Sequence, residues 1–283
     1  MVTPGAVDLN IHYIGPTSNE RKRQTVFLEW EKVLARCFQR LSEDDKAYFL
    51  SLANINNDDD SCPILGVIRT NGFVVTLGEG FFKDYSAVCR ELSRVNHSCM
   101  PNAAAKFSLS SFSFQLRATS NIRKDEQICI SYCSINLPSI QRQEKLAAYG
   151  FRCTCPACIS PTSDRLRLKI LSSIDQLFDA YSAWVRNPSL PDDHVIKPSL
   201  LWLSIIEKEG MSSSHAYEHH LQALMRAYSA LGDLDSTLKY AKMSARWNLA
   251  VMGNEDLGKD LLNPMLHRGS SYWRARFPAI SIS

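Results

Sequence analysis

Three cysteines crowd together at Cys153, Cys155 and Cys158, spaced C-x-C-x-x-C and separated by Thr154, Pro156 and Ala157. Thiolates at this spacing fold readily round one ion, because tetrahedral zinc takes ligands from a tight turn plus one from elsewhere. The fourth position would go to water in a catalytic site, or to another cysteine or histidine in a structural one. The best donor is Cys99, which shares a turn-forming segment with His97, Pro101 and Asn102. Free surface thiols are the alternative reading of the triplet. Asn96-His97-Ser98-Cys99 also spells a Cys–His nucleophile. Such pairs, however, are usually assembled from distant segments, and metal ligation would consume the thiolate. Of the other cysteines, Cys37 falls on an apolar helix face and Cys62 in a loop. Cys89 lies in a mixed segment, and Cys129 and Cys133 flank a strand. These read as small hydrophobes or inert thiols. The total of nine is odd, and Met1–Asn10 shows neither a basic n-region nor an apolar h-region. The expectation is an intracellular protein, in nucleus or cytoplasm, with free or metal-bound thiols rather than disulfides.

The elements that must position these residues fall into stretches of different texture. Apolar residues at Val26, Trp30, Val33, Leu34, Cys37, Phe38 and Leu41 recur at helical spacing over Asn19–Arg40. A second short helix follows, with Ser42 as N-cap and Asp45 three residues on, as in a capping box. The acidic run Asn54–Ser61 reads as a solvated loop. Short strands are expected at Gly66–Ile68, Gly72–Leu77, Ala104–Leu109, Phe112–Ala118 and Ile128–Tyr132, with Ser110-Ser111 as a hairpin turn. Phe112, Phe114 and Leu116 alternate with Ser113 and Gln115, the period of a half-buried strand. Beyond Ile159 the pattern is helical. Ile170, Leu171, Ile174, Leu177, Phe178, Tyr181 and Val185 lie on one helix face, and Asn187–Pro198 forms a connection. Two helices meet at Gly232-Asp233 within Ser214–Met252, either one tetratricopeptide-like unit or a generic helical hairpin. Strands without alternating long helices exclude a doubly wound sheet.

Composition narrows the function classes. The 283 residues are 45% hydrophobic and 22% charged, which excludes a disordered chain or a rod and leaves room for two domains. Lys and Arg number 32 against 29 acidic residues, a net charge of +3, too little for an electrostatic nucleic-acid binder. No run approaches the ~18 consecutive apolar residues of a membrane span.

Taken in order, Asn96-His97-Ser98-Cys99-Met100-Pro101-Asn102, then Ile128-Cys129-Ile130-Ser131-Tyr132, then Tyr149-Gly150-Phe151-Arg152 running into the cysteine triplet resemble the SET-domain protein lysine methyltransferases. The likeness is greatest to the fungal and SET–MYND type and covers Ile64–Cys158. Arg69–Phe73 resembles that family's asparagine-bearing strand. The resemblance implies an α+β fold: a SET core of short strands with a helical insert, a zinc-bound post-SET turn and an all-α, tetratricopeptide-like C-terminal domain. The corresponding boundaries are residues 1–62, 63–160 and 161–283. It implies methyl transfer from S-adenosylmethionine to the ε-amine of a protein lysine, on a histone or another protein. Asn71, Asn96, His97, Tyr132 and Phe151 inherit cofactor contacts. Tyr132 also inherits the catalytic position, and Tyr149 a place in the lysine channel. Cys99, Cys153, Cys155 and Cys158 match the zinc ligands. The implied partners are a lysine-bearing protein and a protein bound by the helical domain, with no nucleic acid or membrane.

One departure stands out. The family's N-terminal G-x-G segment has no counterpart before Asn19, where Gly5 and Gly15 are isolated, and Gly78-Glu79-Gly80 falls where a strand connection is expected. The chain therefore reads as starting after the first SET strands. That leaves a second expectation, a catalytically inactive, zinc-containing interaction scaffold.

Overall fold

The computed structural model describes residues 31–56, 62–77, 84–254 and 256–277. Gly5, Gly15, Gly78-Glu79-Gly80, the Asn19–Trp30 part of the first expected helix and most of the acidic loop lie outside them. The chain forms two compact units. The first comprises residues 1–95 with 109–113 and 147–151; the second comprises 96–108, 114–146 and 152–283.

In the first unit, helix α1 (31–39) is followed by α2 (Glu43–Leu50). Ser42 caps α2 as expected: its hydroxyl accepts from the Asp45 amide at 3.1 Å and donates to the Asp45 carboxylate at 2.8 Å. The Arg90 and Arg94 guanidinium groups lie 4.8 and 4.9 Å from the centre of the Tyr48 ring, a double cation–π contact. Helix α3 (Pro63–Asn71) replaces the strand expected at Gly66–Ile68. A short apolar run suits a buried helix as well as a strand, and Pro63 at the first turn settles it toward helix. Strands β1 (Phe73–Thr76) and β2 (Asp84–Ala87) then pair antiparallel, Phe73 opposite Ala87.

The second unit holds the other two small sheets. Strands β3 (Asn96–His97) and β6 (Cys129–Ile130) pair in parallel, with Asn96 opposite Cys129 and His97 opposite Ile130. Strands β4 (Ala103–Ser108) and β5 (Ser113–Ala118) form a two-stranded sheet joined by a turn at 109–112, residues 109–113 counting with the first unit. The alternation read at its start does not hold. Phe112 belongs to the turn, with φ at +47°, and Leu116 is 40% exposed.

Among the described residues of this unit, nine α-helical segments follow in order: α4 (Ser139–Ala147, whose last residue counts with the first unit), α5 (Pro156–Ile159), α6 (Ser163–Ser172), α7 (Leu177–Arg186), α8 (Ile196–Lys208), α9 (His215–Ala230), α10 (Leu234–Trp247), α11 (Asp256–Leu261) and α12 (Pro264–Gly269). The single face read from Ile170 to Val185 is divided between α6 and α7. The Ser173 hydroxyl and amide both bond the Ile170 carbonyl, which ends α6, as serine side chains do when they compete with the helix ladder. The hairpin at Gly232-Asp233 is present as α9 and α10. Gly232 takes φ +73°, Asp233 caps α10 through the Ser236 amide, and the Tyr228 and Tyr240 rings stack at 5.6 Å. Around this hairpin Trp184, Leu203, Leu221, Leu224 and Tyr240 form the larger core, while Ile135, Ile170, Ile206 and Met211 form a smaller one. Ile135 lies three residues past Tyr132, so the smaller core ties that segment to α6 and α8. No described helix is long and apolar enough to cross a membrane.

One buried histidine gives this fold a pH signature. His220 is 1% exposed; its Nε2 bonds the Ser173 hydroxyl at 2.8 Å while Nδ1 has no hydrogen-bond partner. Burial, with the neighbouring His219 charge, lowers its pKa from 6.5 to about 4. The unfolded chain therefore binds a proton that the folded chain refuses between these values, so stability is complete above pH 6.5 and falls toward pH 4. Urea unfolding at pH 7 and 4.5 should show roughly 2–3 kcal/mol more acid destabilisation in the wild type than in His220→Gln. Equal pH dependence would contradict the assignment.

Candidate functional site

The post-strand turn gathers the thiols. Pro156 opens α5 with Cys155 as its N-cap, and the Cys158 amide returns to the Cys155 carbonyl at 2.8 Å, so both side chains leave one short turn. Cys153 is fixed by Gln143 of α4, whose amide exchanges two hydrogen bonds with the Cys153 backbone at 2.8 and 3.0 Å. Cys99, 54 residues earlier, enters from the loop after β3. The sulfurs of Cys99, Cys153, Cys155 and Cys158 all lie within 4.8 Å of one another. Cys99 Sγ is 3.5 Å from that of Cys158 and 4.0 Å from that of Cys153. A tetrahedral ion with bonds of ~2.3 Å sets sulfurs about 3.8 Å apart, whereas a disulfide needs about 2.05 Å. All nine cysteines are free thiols, and this quartet fits a metal tetrathiolate such as zinc.

The clustered thiols push one another's pKa values in opposite directions. Hydrogen bonding to Cys99, outweighing burial, brings the Cys155 thiol down to about 4. Cys99 itself is pushed well above the usual thiol range by its bonds to Cys133 and Cys155 and by burial. Cys133, read from the sequence as inert, therefore touches the cluster; its bond to Cys99 holds it at about 7.

The parallel strand pair joins this cluster to Tyr132. The Tyr132 backbone N–H donates to His97 Nδ1 at 3.0 Å, which makes Nδ1 the unprotonated ring nitrogen. The ring proton is then on Nε2, 3.3 Å from Cys99 Sγ. Burial lowers the His97 pKa to about 4, consistent with a neutral ring. The His97 and Tyr132 rings lie 5.3 Å apart. Asn102, 7% exposed, holds β6 in place: its side chain accepts from the Cys129 amide and donates to the Gln127 carbonyl and the Glu126 carboxylate.

The second unit thus brings together Asn96, His97, Tyr132 and the four cysteines. Asn96 is exposed on β3, and both His97 ring nitrogens face protein partners. Asn71, Tyr149 and Phe151 belong to the first unit. Asn71 ends helix α3 rather than a strand, and its amide group donates to the carbonyls of Ala53 at 2.6 Å and Val67 at 2.8 Å. Tyr149 is half-buried beside Gly150, whose φ is +71°, and Phe151 is 38% exposed. A separate cleft of about 680 Å³, with Glu207, Tyr217 and Arg246 in its lining, includes none of the residues the motifs single out.

Sequence reasoning missed two arginines. Arg142 is fully buried on α4 and donates to Cys158 Sγ at 3.6 Å; Arg167, on α6, donates to the Cys99 carbonyl at 3.0 Å. Arg142 and Leu146, one turn apart, are the buried residues of α4, and nothing in the local sequence sets that arginine apart.

Metal analysis of the purified chain should find one zinc, with X-ray absorption showing four sulfurs at ~2.3 Å. Serine in place of Cys99 or Cys155 should weaken binding at least tenfold. Nitrogen or oxygen neighbours, or full affinity in both variants, would contradict the quartet.

Comparison with known proteins adds the kinship. Residues 16–133 match the SET domain family, beginning well upstream of the motifs quoted above. The chain is 26% identical over 205 residues to the N-lysine methyltransferase SMYD2 of Homo sapiens, covering 65% of this chain and 46% of that protein. It is 46% identical over 68 residues to the SET domain and MYND-type zinc finger protein 6 of Schizosaccharomyces pombe, 24% of this chain and 14% of that protein. It is 37% identical over 73 residues to the protein-lysine N-trimethyltransferase SMYD5 of Mus musculus, 24% and 18% respectively. The chain spans less than half the length of these curated relatives. The chain therefore carries a SET domain over residues 16–133, and relatives it resembles are named as SET–MYND-type proteins and lysine methyltransferases.

Proposed function

We propose that this chain catalyses S-adenosylmethionine-dependent methylation of a protein lysine ε-amine, with zinc held by Cys99, Cys153, Cys155 and Cys158. The observation that carries the reading is the Tyr132–His97–Cys99 connection within a matched SET domain whose relatives are named lysine methyltransferases. S-adenosylmethionine, when bound, supplies a methyl group activated by its sulfonium charge. The reaction is an in-line displacement by a neutral amine, so it needs alignment and exclusion of water more than a strong base.

The roles follow from what each side chain has left to offer. Tyr132 is anchored by its backbone N–H on His97, which fixes where its hydroxyl can act as a polar partner of the reacting groups. His97 has both ring nitrogens engaged, so its own contribution to cofactor binding falls to its backbone, while the exposed Asn96 offers a side-chain amide. Asn71 has spent its amide group as donor on two carbonyls, so its oxygen is what remains for a ligand. Phe151 is assigned to an apolar face of the cofactor. Tyr149 is assigned to the lysine channel, where an aromatic wall attracts methylated ammonium through cation–π contact. The substrate is a protein lysine, on a histone or another protein, and the helical region after residue 160 is a candidate surface for a protein partner.

The test is calorimetry with S-adenosylmethionine followed by radiolabelled methyl transfer to histones and to cell extract. Tyr132→Phe should retain cofactor binding and lose transfer by an order of 10²-fold, as removal of one preorganised polar group does elsewhere. No cofactor binding, or transfer indifferent to Tyr132→Phe, would overturn the enzyme reading in favour of a binding scaffold.

A further inference from the structure

Two buried arginines meet the thiol quartet from the helical side, and neither is explained by packing alone. Arg142 is 0% exposed, with Nη1 on the Leu137 carbonyl at 2.5 Å and Nη2 shared between the Ala157 carbonyl at 3.4 Å and Cys158 Sγ at 3.6 Å. A buried guanidinium needs a counter-charge. Its carboxylate neighbour, Asp164, stands at 3.4 Å, is one-third exposed and already accepts from the Ser139 amide and hydroxyl. The Cys158 sulfur supplies a second, less solvated anion once it is a thiolate. A divalent ion with four thiolates carries two net negative charges, so a charged donor on one sulfur stabilises the loaded state more than the empty one.

Arg167 acts on a different atom. Its charge is matched by Glu209, just past the end of α8, at 3.0 Å, and Nη1 holds the Ile135 carbonyl at 2.7 Å. Nη2 bridges the Glu209 carbonyl at 3.1 Å and the Cys99 carbonyl at 3.0 Å. Ser163 also donates to Glu209, fixing the carboxylate from α6. The next residue, Gly210, packs so closely that a Cβ there would come within 2.4 Å of the Met100 Cβ. The turn that ends α8 is therefore fastened to the loop that carries the one ligand distant in sequence.

We propose that Arg142 and Arg167 are positioning residues of the metal centre, Arg142 by donating to the Cys158 thiolate and Arg167 by clasping the Cys99 backbone to Glu209, so that metal affinity and the seating of the α6–α8 region are linked. By reciprocity, whatever the helices add to metal affinity the metal returns to the helices. This rests on the tetrathiolate reading of the quartet.

Zinc affinity of the full chain, measured by competition with a chromophoric chelator, and the cobalt-substituted spectrum test it together. Arg142→Met should bind zinc 10–100-fold more weakly, in the range of lost outer-shell partners. Its sulfur-to-cobalt charge-transfer band should move to longer wavelength, because the Cys158 lone pair loses a donor. Arg142→Lys should fall between Arg142→Met and wild type. Glu209→Gln touches no thiol, yet should weaken zinc several-fold with an unmoved band. It also decides the matter should Arg142→Met fail to fold. Affinities within twofold of wild type for Arg142→Lys and Glu209→Gln, or an unmoved band in every folded Arg142 variant, would overturn the proposal. A wild-type chain that takes up no metal would instead overturn the tetrathiolate reading itself.

Discussion

Four sulfurs brought within 4.8 Å of one another are the constraint on which the rest of the second unit depends. Three arrive through one turn, at little entropic cost, but Cys99 must be carried across 54 residues to meet Cys153. The structure meets that demand with ordinary parts. Asn102 pins β6, β6 pairs with β3, and β3 delivers Cys99 from a fixed direction. An ion at the centre would convert these separate supports into one cooperative unit, since its binding energy becomes folding energy for whatever holds its ligands.

The same constraint extends to Tyr132. Cys99 faces His97 Nε2, and His97 Nδ1 takes the Tyr132 amide, so one imidazole spans the distance between the sulfur cluster and the residue proposed for catalysis. Its tautomer is dictated from both sides, and burial keeps it neutral. A histidine that the motif places among the cofactor residues thus owes its side chain to architecture. Tyr132, proposed for the chemistry, and Cys99, proposed as a ligand, are two ends of one short hydrogen-bonded path.

Much of this was legible in the sequence where the signal is local. The spacing of Cys153, Cys155 and Cys158, the Ser42 cap and the Gly232-Asp233 turn each depend on neighbours a few residues away, and each appears in the structure. Where one pattern suits two elements, it does not decide between them. The apolar run at Gly66–Ile68 suited strand or helix equally, and the face from Ile170 to Val185 concealed a break that Ser173 makes through its own backbone. Phe112 looked like the start of an alternating strand because sequence does not reveal which residue of a turn will take positive φ. The buried arginines were hidden for another reason: an arginine is ordinarily exposed, and only the tertiary contact with Cys158 or with Cys99 and Glu209 gives it a reason to be inside.

On this reading the metal cluster positions Tyr132 through His97. The most direct test is a comparison of the Tyr132 amide and the His97 ring nitrogens by nuclear magnetic resonance in the zinc-loaded and chelator-stripped protein. With zinc, Nδ1 should be unprotonated, Nε2 should carry a slowly exchanging proton, and the Tyr132 amide should be strongly shifted. On removal of zinc both signatures should be lost together. A Tyr132 amide and a His97 tautomer unchanged by metal removal would contradict the account.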